Sequence, residues 1–245
     1  MKLNTLLPIL LGFILISGCK KDDGNPAPVT VSPKSFLSNE NFNQLNIEVT
    51  YTEGFAPEAA ALDELKTFLS ARLNKPNGIN ISQRQISTSN SGSLSFEEIK
   101  SLEANNRTFS TQNSTLTAYI YYADVPYSES TSSSAILGIA YGESSIAMFK
   151  SSIEEYSGGL GEPSTQNLET AVLLHEFCHT LGLTNNGTPM VTPHEDAVNS
   201  GHCNNENCLM YYKVESNDLA TIMSGGTIPS LDANCLQDLQ ANGGK

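Results

Sequence analysis

One stretch, Leu168 to Gly182 (L-E-T-A-V-L-L-H-E-F-C-H-T-L-G), constrains this chain more than any other. Leu168, Val172, Leu173, Leu174, Phe177 and Leu181 recur at spacings of three and four with no interrupting proline, so the stretch is predicted to be a helix with an apolar flank. His175 and His179 are four residues apart and leave that helix about 40° from each other around its axis, on one face. Two neutral imidazoles one turn apart supply half of a tetrahedral zinc site. Glu176, beside the first imidazole, is placed where a carboxylate reaches a water held by the metal without itself binding the metal, the position of a general base in a metallohydrolase. Gly182 then allows the sharp turn that a third, distant ligand requires to return to the metal.

The 245 residues suffice for one sizeable catalytic domain. With 13 Lys and Arg against 26 Asp and Glu, the formal net charge is -13, which excludes nucleic acid as a partner because phosphate neutralisation needs clustered cations. At the N-terminus, Lys2 precedes an apolar run from Leu6 to Ile16 that is too short to span a bilayer comfortably and ends in small residues, the pattern of a secretory signal. Ile16-Ser17-Gly18-Cys19 resembles a bacterial lipobox, which implies lipid on Cys19. Lys20-Lys21-Asp22-Asp23 resembles the signal that sends some Gram-negative lipoproteins to the outer face of the outer membrane. The expected organisation is therefore a signal peptide over 1–18, a Pro- and Asn-rich tether over 19–40, and a catalytic domain over 41–245, displayed at the cell surface.

Outside the cytoplasm disulfides persist, so Cys203 and Cys208, close in sequence, are expected to pair rather than to ligate zinc; Cys178 and Cys235 could form a second bridge, or Cys178 be a small buried residue of the helix, and the sequence leaves the connectivity open. Along the chain, alternation of apolar and polar residues predicts strands at 45–51 and 79–86, and further strands are read at 116–123, rich in Tyr and Ile, and at 136–141 and 145–149. Helices are predicted over 57–73, over 96–104 behind a Ser95/Glu98 capping box, and over 231–239 behind Ser230. The strand ending near Gly142 is read either as sheet core or as an edge able to pair with an extended peptide. Between Gly182 and Asn207 the chain is rich in Asn, Gly and Pro and predicts no regular element.

His175-Glu176-x-x-His179-x-x-Gly182 resembles the opening of the metzincin zinc-protease signature, whose third His follows the glycine by three residues. Asn185 stands there and is a poor ligand. Further on, His202-Cys203-x4-Cys208-x-Met210 is similar to the archaemetzincin branch. That resemblance implies a zincin/metzincin-like α/β (α+β) fold: a mixed sheet, an active-site helix and a small irregular C-terminal lobe. It also implies that residues from about 184 to 201 are an insertion, that His202 is the third zinc ligand, and that Met210 is the methionine of the turn beneath the metal. The branch's later C-x-x-C is missing, so its second structural zinc is not implied. His194 competes with His202 for the third position, with a loop histidine or a partner of Asp196 as its other readings. In some metzincins a Tyr two residues after the methionine steadies the oxyanion, a role that Tyr212 could take unless it simply packs beside Tyr211.

These residues together predict a Zn2+-dependent endopeptidase, a monomer acting on a protein or peptide substrate, with zinc on His175, His179 and His202 and Glu176 as base. Two rivals share the same residues: a zinc amidase acting on cell-wall peptides, and a surface binding lipoprotein with a structural zinc.

Overall fold

The strand Thr115–Ala123 is apolar along almost its whole length, and the fold covers both of its faces. The computed structural model describes residues 30–245 apart from 89, 132, 220–222 and 224–225. The signal sequence, Cys19 and most of the expected tether lie outside the described residues. In chain order the strands are β1 (Gln44–Thr52), β2 (Ile79–Ile86), β3 (Thr115–Ala123), β4 (Gly138–Tyr141) and β5 (Ser145–Phe149). They form one sheet in the order β2-β1-β3-β5-β4, parallel except for β4, which runs antiparallel to β5 at the edge. The helices are α1 (Pro33–Leu37), α2 (Ala59–Arg72), α3 (Phe96–Asn106), α4 (Lys150–Glu155), α5 (Thr165–Thr180) and α6 (Ala233–Ala241).

The two-residue period of a strand divides β3 between two cores. Leu116, Ala118, Ile120 and Tyr122 join the main core with Leu65 and Leu69 of α2 and Leu168, Val172 and Phe177 of α5. Tyr119, Tyr121 and Ala123 point into a smaller core with Ile99 of α3. The tyrosines on that second face keep their hydroxyls satisfied: Tyr119 pairs with Thr50 at 2.7 Å and Tyr121 with Thr52 at 3.0 Å. The α/β class expected from the sequence is thus the architecture observed, with a mostly parallel sheet and helices on both faces.

Three local readings are corrected. Pro33–Leu37, assigned by composition to the tether, is a helix with Phe36 and Leu37 fully buried, Phe36 meeting Phe177 edge-on at 6.0 Å. Lys75 fastens this helix by donating to the carbonyls of Ser35 (2.8 Å), Phe42 (2.7 Å) and Ser38. A five-residue helix is too short for apolar periodicity to reveal. α4 is short in the same way and was not anticipated. α6 starts at Ala233, capped by Asp232, which accepts from the Cys235 amide at 2.9 Å. Ser230 instead gives its carbonyl to the Leu209 amide at 2.9 Å.

α5 is oriented by a buried charged junction. Lys150 at the start of α4 donates to Glu169 of α5 at 2.6 Å and to Glu58 at 3.2 Å, and Glu169 also accepts from the Glu58 amide at 2.8 Å, just before α2. Lys150 and Glu169 are both buried. Removing one partner leaves the other charged and unpaired, so Lys150→Met should cost about 3–5 kcal/mol of unfolding free energy in urea titrations. A cost below about 1 kcal/mol would mean that the pair does not hold α5.

Candidate metal centre and active site

α5 begins at Ser164, whose hydroxyl accepts from the Asn167 amide at 3.2 Å, and every residue from Leu168 to Cys178 is buried. The helix therefore has no freedom to rotate, and its last two turns carry His175 and His179 to a fixed place. Their Nε2 atoms lie 3.0 Å apart. The chain leaves the helix at Gly182, with φ of +80° and no room for a Cβ, which would stand 2.7 Å from the Thr188 amide nitrogen and from Pro33. It returns at His202, whose ring centroid is 5.3 Å from that of His175 and 5.0 Å from that of His179. The three histidines expected as ligands are thus brought together, from two segments more than twenty residues apart in sequence.

Two of the imidazoles are oriented through their far nitrogens: His175 Nδ1 donates to the Leu209 carbonyl at 2.7 Å and His202 Nδ1 to the Ser200 carbonyl at 3.2 Å. A carbonyl only accepts, so Nδ1 carries the proton and Nε2 presents a lone pair. His202 Nε2 is buried with no partner. Burial lowers the pKa of His175 strongly and that of His179 to about 4, and the neighbouring imidazoles add to this, so these rings are neutral. Lone pairs converging without a proton between them repel, and a cation removes the conflict. Zn–N bonds of about 2.0–2.1 Å imply N–N edges of about 3.3 Å in a tetrahedron, near the separation found between His175 and His179. The donor set fits zinc.

Glu176 is buried, and its Oε1 has no hydrogen-bond partner. Burial raises its pKa, the charge of Glu215 adds to this, and the Ala140 amide of β4 opposes it. A cation on the imidazoles would act in the same direction as the amide. β4 comes this close because it has a glycine: a Cβ on Gly138 would stand 2.8 Å from both Glu176 Cγ and Val172 Cγ1. Neither Gly138 nor Glu215 was singled out from sequence. Glu215 ends a single 3₁₀ turn, Tyr212–Glu215, and its Oε2 is 3.5 Å from His202 Nε2 and 3.9 Å from His175 Nε2. No periodicity marks either residue; only the tertiary fold brings them to the site. Tyr212 packs on Tyr211, with ring centroids 4.7 Å apart. Met210 is fully buried in the main core, next to the Leu209 carbonyl that orients His175.

The disulfide expectations are overturned. Cys178, Cys203, Cys208 and Cys235 are all free thiols. Cys178 is a buried apolar position of α5, where burial pushes its thiol up. Cys203 and Cys235 lie against His194, and Cys208 lies against Cys235. Cys203 Sγ is 3.4 Å from His194 Nδ1, Cys235 Sγ is 4.0 Å from the same nitrogen, and Cys208 Sγ is 3.7 Å from Cys235 Sγ. A disulfide needs about 2.05 Å, whereas Zn–S bonds of about 2.3 Å imply S–S edges of about 3.8 Å. His194 is therefore neither a third ligand beside His175 nor a partner of Asp196. Its Nε2 meets Asp238 of α6 at 2.8 Å, which turns Nδ1 towards the sulfurs. Cys208 accepts from the amides of Met210 and Asp232, both at 3.4 Å, which favour its thiolate. His194, Cys203, Asp232 and Cys235 bring their ligand atoms within 4.8 Å of one another, a second group able to hold a metal ion, with Cys208 against Cys235 beside it.

No family model matches the chain, and no curated protein does. Among solved structures, the archaemetzincin of Methanopyrus kandleri is similar over 82% of this chain and 96% of that one, with a TM-score of 0.53 at 15% identity. A zinc-dependent peptidase from Methanocorpusculum labreanum aligns over 79% and 99% of the two chains, with a TM-score of 0.48 at 13% identity. At 15% identity the likeness to the archaemetzincin establishes the fold.

Two donor sets give a direct expectation. Elemental analysis should find about two zinc ions per chain, with His202→Ala losing one and Cys235→Ser losing the other. Retention of metal in His202→Ala with loss in His194→Ala of the activity-linked ion would return His194 to the third position. A Cys203–Cys208 bridged peptide in non-reducing mass spectrometry would restore the disulfide.

Proposed function

We propose that this chain is a zinc-dependent peptidase. One observation carries the reading: three imidazole lone pairs converge beside a buried carboxylate with an unused oxygen, in a fold shared with an archaemetzincin. His175, His179 and His202 would hold the ion. Zinc bound there supplies Lewis acidity towards a carbonyl and lowers the pKa of a water to about 7.

The chain's own groups do the rest. Glu176 accepts the proton of the attacking water and delivers it to the leaving amine, and the Ala140 amide keeps its carboxylate turned into the site. β4 is an edge strand beside this carboxylate, so an extended peptide laid along Gly138–Tyr141 gains main-chain hydrogen bonds while its scissile bond lies at Glu176. The need for an extended backbone favours a protein or peptide substrate over a small molecule.

We further propose that the enzyme is carried on a membrane by lipid on Cys19 and faces the cell exterior, on the strength of Ile16-Ser17-Gly18-Cys19 and the lysine-acidic run after it. Cys19→Ser should abolish fatty-acid labelling. Unchanged labelling would remove the anchor from the account.

The central test is Glu176→Gln in the full-length chain. Zinc content should be unchanged, while chelator-sensitive cleavage of an unfolded protein should fall by about 10²–10⁴-fold, the range ordinarily owed to general acid–base catalysis. Cleavage at the wild-type rate would exclude Glu176 as base. Wild-type zinc with no cleavage of any protein offered would favour a binding role.

A further inference from the structure

Glu215 is the residue at this centre to which the peptidase reading gives no task. Its turn is fastened to the strand leading into β4: the Glu215 carbonyl accepts from the Leu137 amide at 2.9 Å, and Ser216 bridges Ile136. The side chain is about one-third exposed and reaches across the imidazoles. Its carboxylate oxygen and the three histidine nitrogens all lie within 4.8 Å of one another.

The atoms that face Oε2 are lone pairs. His175 and His202 have committed their Nδ1 protons to the Leu209 and Ser200 carbonyls, so neither Nε2 has a hydrogen to offer. Among the described residues, the close polar contacts of this carboxylate are those two nitrogens, at 3.9 and 3.5 Å. An anionic oxygen held against two acceptors is repelled unless a cation lies between them. Separations of 3.5 and 3.9 Å are near the edges of about 3.3 Å expected around a four-coordinate ion with N and O ligands.

We propose that Glu215 is a fourth, displaceable ligand of the zinc held by His175, His179 and His202, closing the centre at rest and yielding its place when substrate enters. The inference rests on the peptidase reading above. It separates the two carboxylates of the site by environment. Glu176 is enclosed between α5 and β4, faces the Ala140 amide and stays where the proton must be taken. Glu215 projects from one short turn into partly open space, with no amide, hydroxyl or basic group of the described residues holding it away from the ion. Rotation about its side-chain bonds is enough to open the site, whereas His175 and His179 cannot leave without unpacking α5. A structural zinc closes all four positions with protein and a catalytic one leaves a position open; here one mobile side chain converts the first state into the second.

The test uses the purified full-length protein and two binding readouts that do not depend on turnover. Competition with a chromophoric chelator measures zinc affinity at the site lost in His202→Ala, and azide titration of the cobalt-loaded protein measures access of an outside anion to the ion. Glu215→Gln should weaken zinc by roughly tenfold or more, the scale on which even outer partners of a metal act, and should tighten azide by a comparable factor because no carboxylate has to leave. Glu215→Asp, one methylene short, should move both in the same directions, and Glu176→Gln should move zinc affinity by less than about threefold. Unchanged zinc and azide affinities in a folded Glu215→Gln or Glu215→Asp protein would overturn the proposal. Equal zinc binding by wild type and His202→Ala would instead overturn the histidine centre itself, a result that the two variants of Glu215 cannot produce.

Discussion

Repulsion among acceptor atoms is the constraint around which this protein is built. Three imidazoles meet, two of them with their protons turned away onto main-chain carbonyls, and positive charge at the centre relieves the repulsion of their lone pairs. Those carbonyls come from different places: Leu209 precedes the buried Met210, and Ser200 lies in the loop that returns His202. Orientation of the ligands is thus a property of the irregular half of the chain as much as of the helix.

That irregular half has to be held by something other than regular hydrogen-bond ladders. Between α5 and the 3₁₀ turn Tyr212–Glu215 the chain makes only turns, bends and isolated bridges. The thiols of Cys203, Cys208 and Cys235 with His194 provide the alternative, tying the segment after His202 to α6. Cys203 is adjacent to His202, and its amide donates to the Met210 carbonyl at 2.7 Å. The contacts of Cys203 therefore also place its neighbour His202, and His194 carries the tie on to α6 through Asp238.

The rest of the fold serves α5. Its buried face needs the sheet, the sheet needs both of its own faces covered, and the Lys150–Glu169–Glu58 junction sets how α2, α4 and α5 meet. Gly138 then lets the edge strand come up against Glu176 at a distance that no side chain would allow. Packing and chemistry coincide at that contact: the same close approach encloses the carboxylate and presents a strand edge beside it.

What the sequence determined by itself is whatever depends on neighbours along the chain. The period of two in β1 and β2, the Tyr and Ile run of β3, the period near 3.6 in α2 and α5, the capping box at Ser95, and the pairing of His175 with His179 on one helical face all follow from local spacing. His202 was legible only through its resemblance to a known signature, since nothing in the intervening loop dictates its return. The tertiary structure decided the remainder: that Phe36 belongs to the core, that Cys203 faces His194 rather than bonding to Cys208, that Asp238 orients that histidine, and that Glu215 and Gly138 reach the centre. These are contacts between residues far apart in the chain, made by segments without periodicity. Their positions follow from how packed elements meet in space, which no local pattern of residues records.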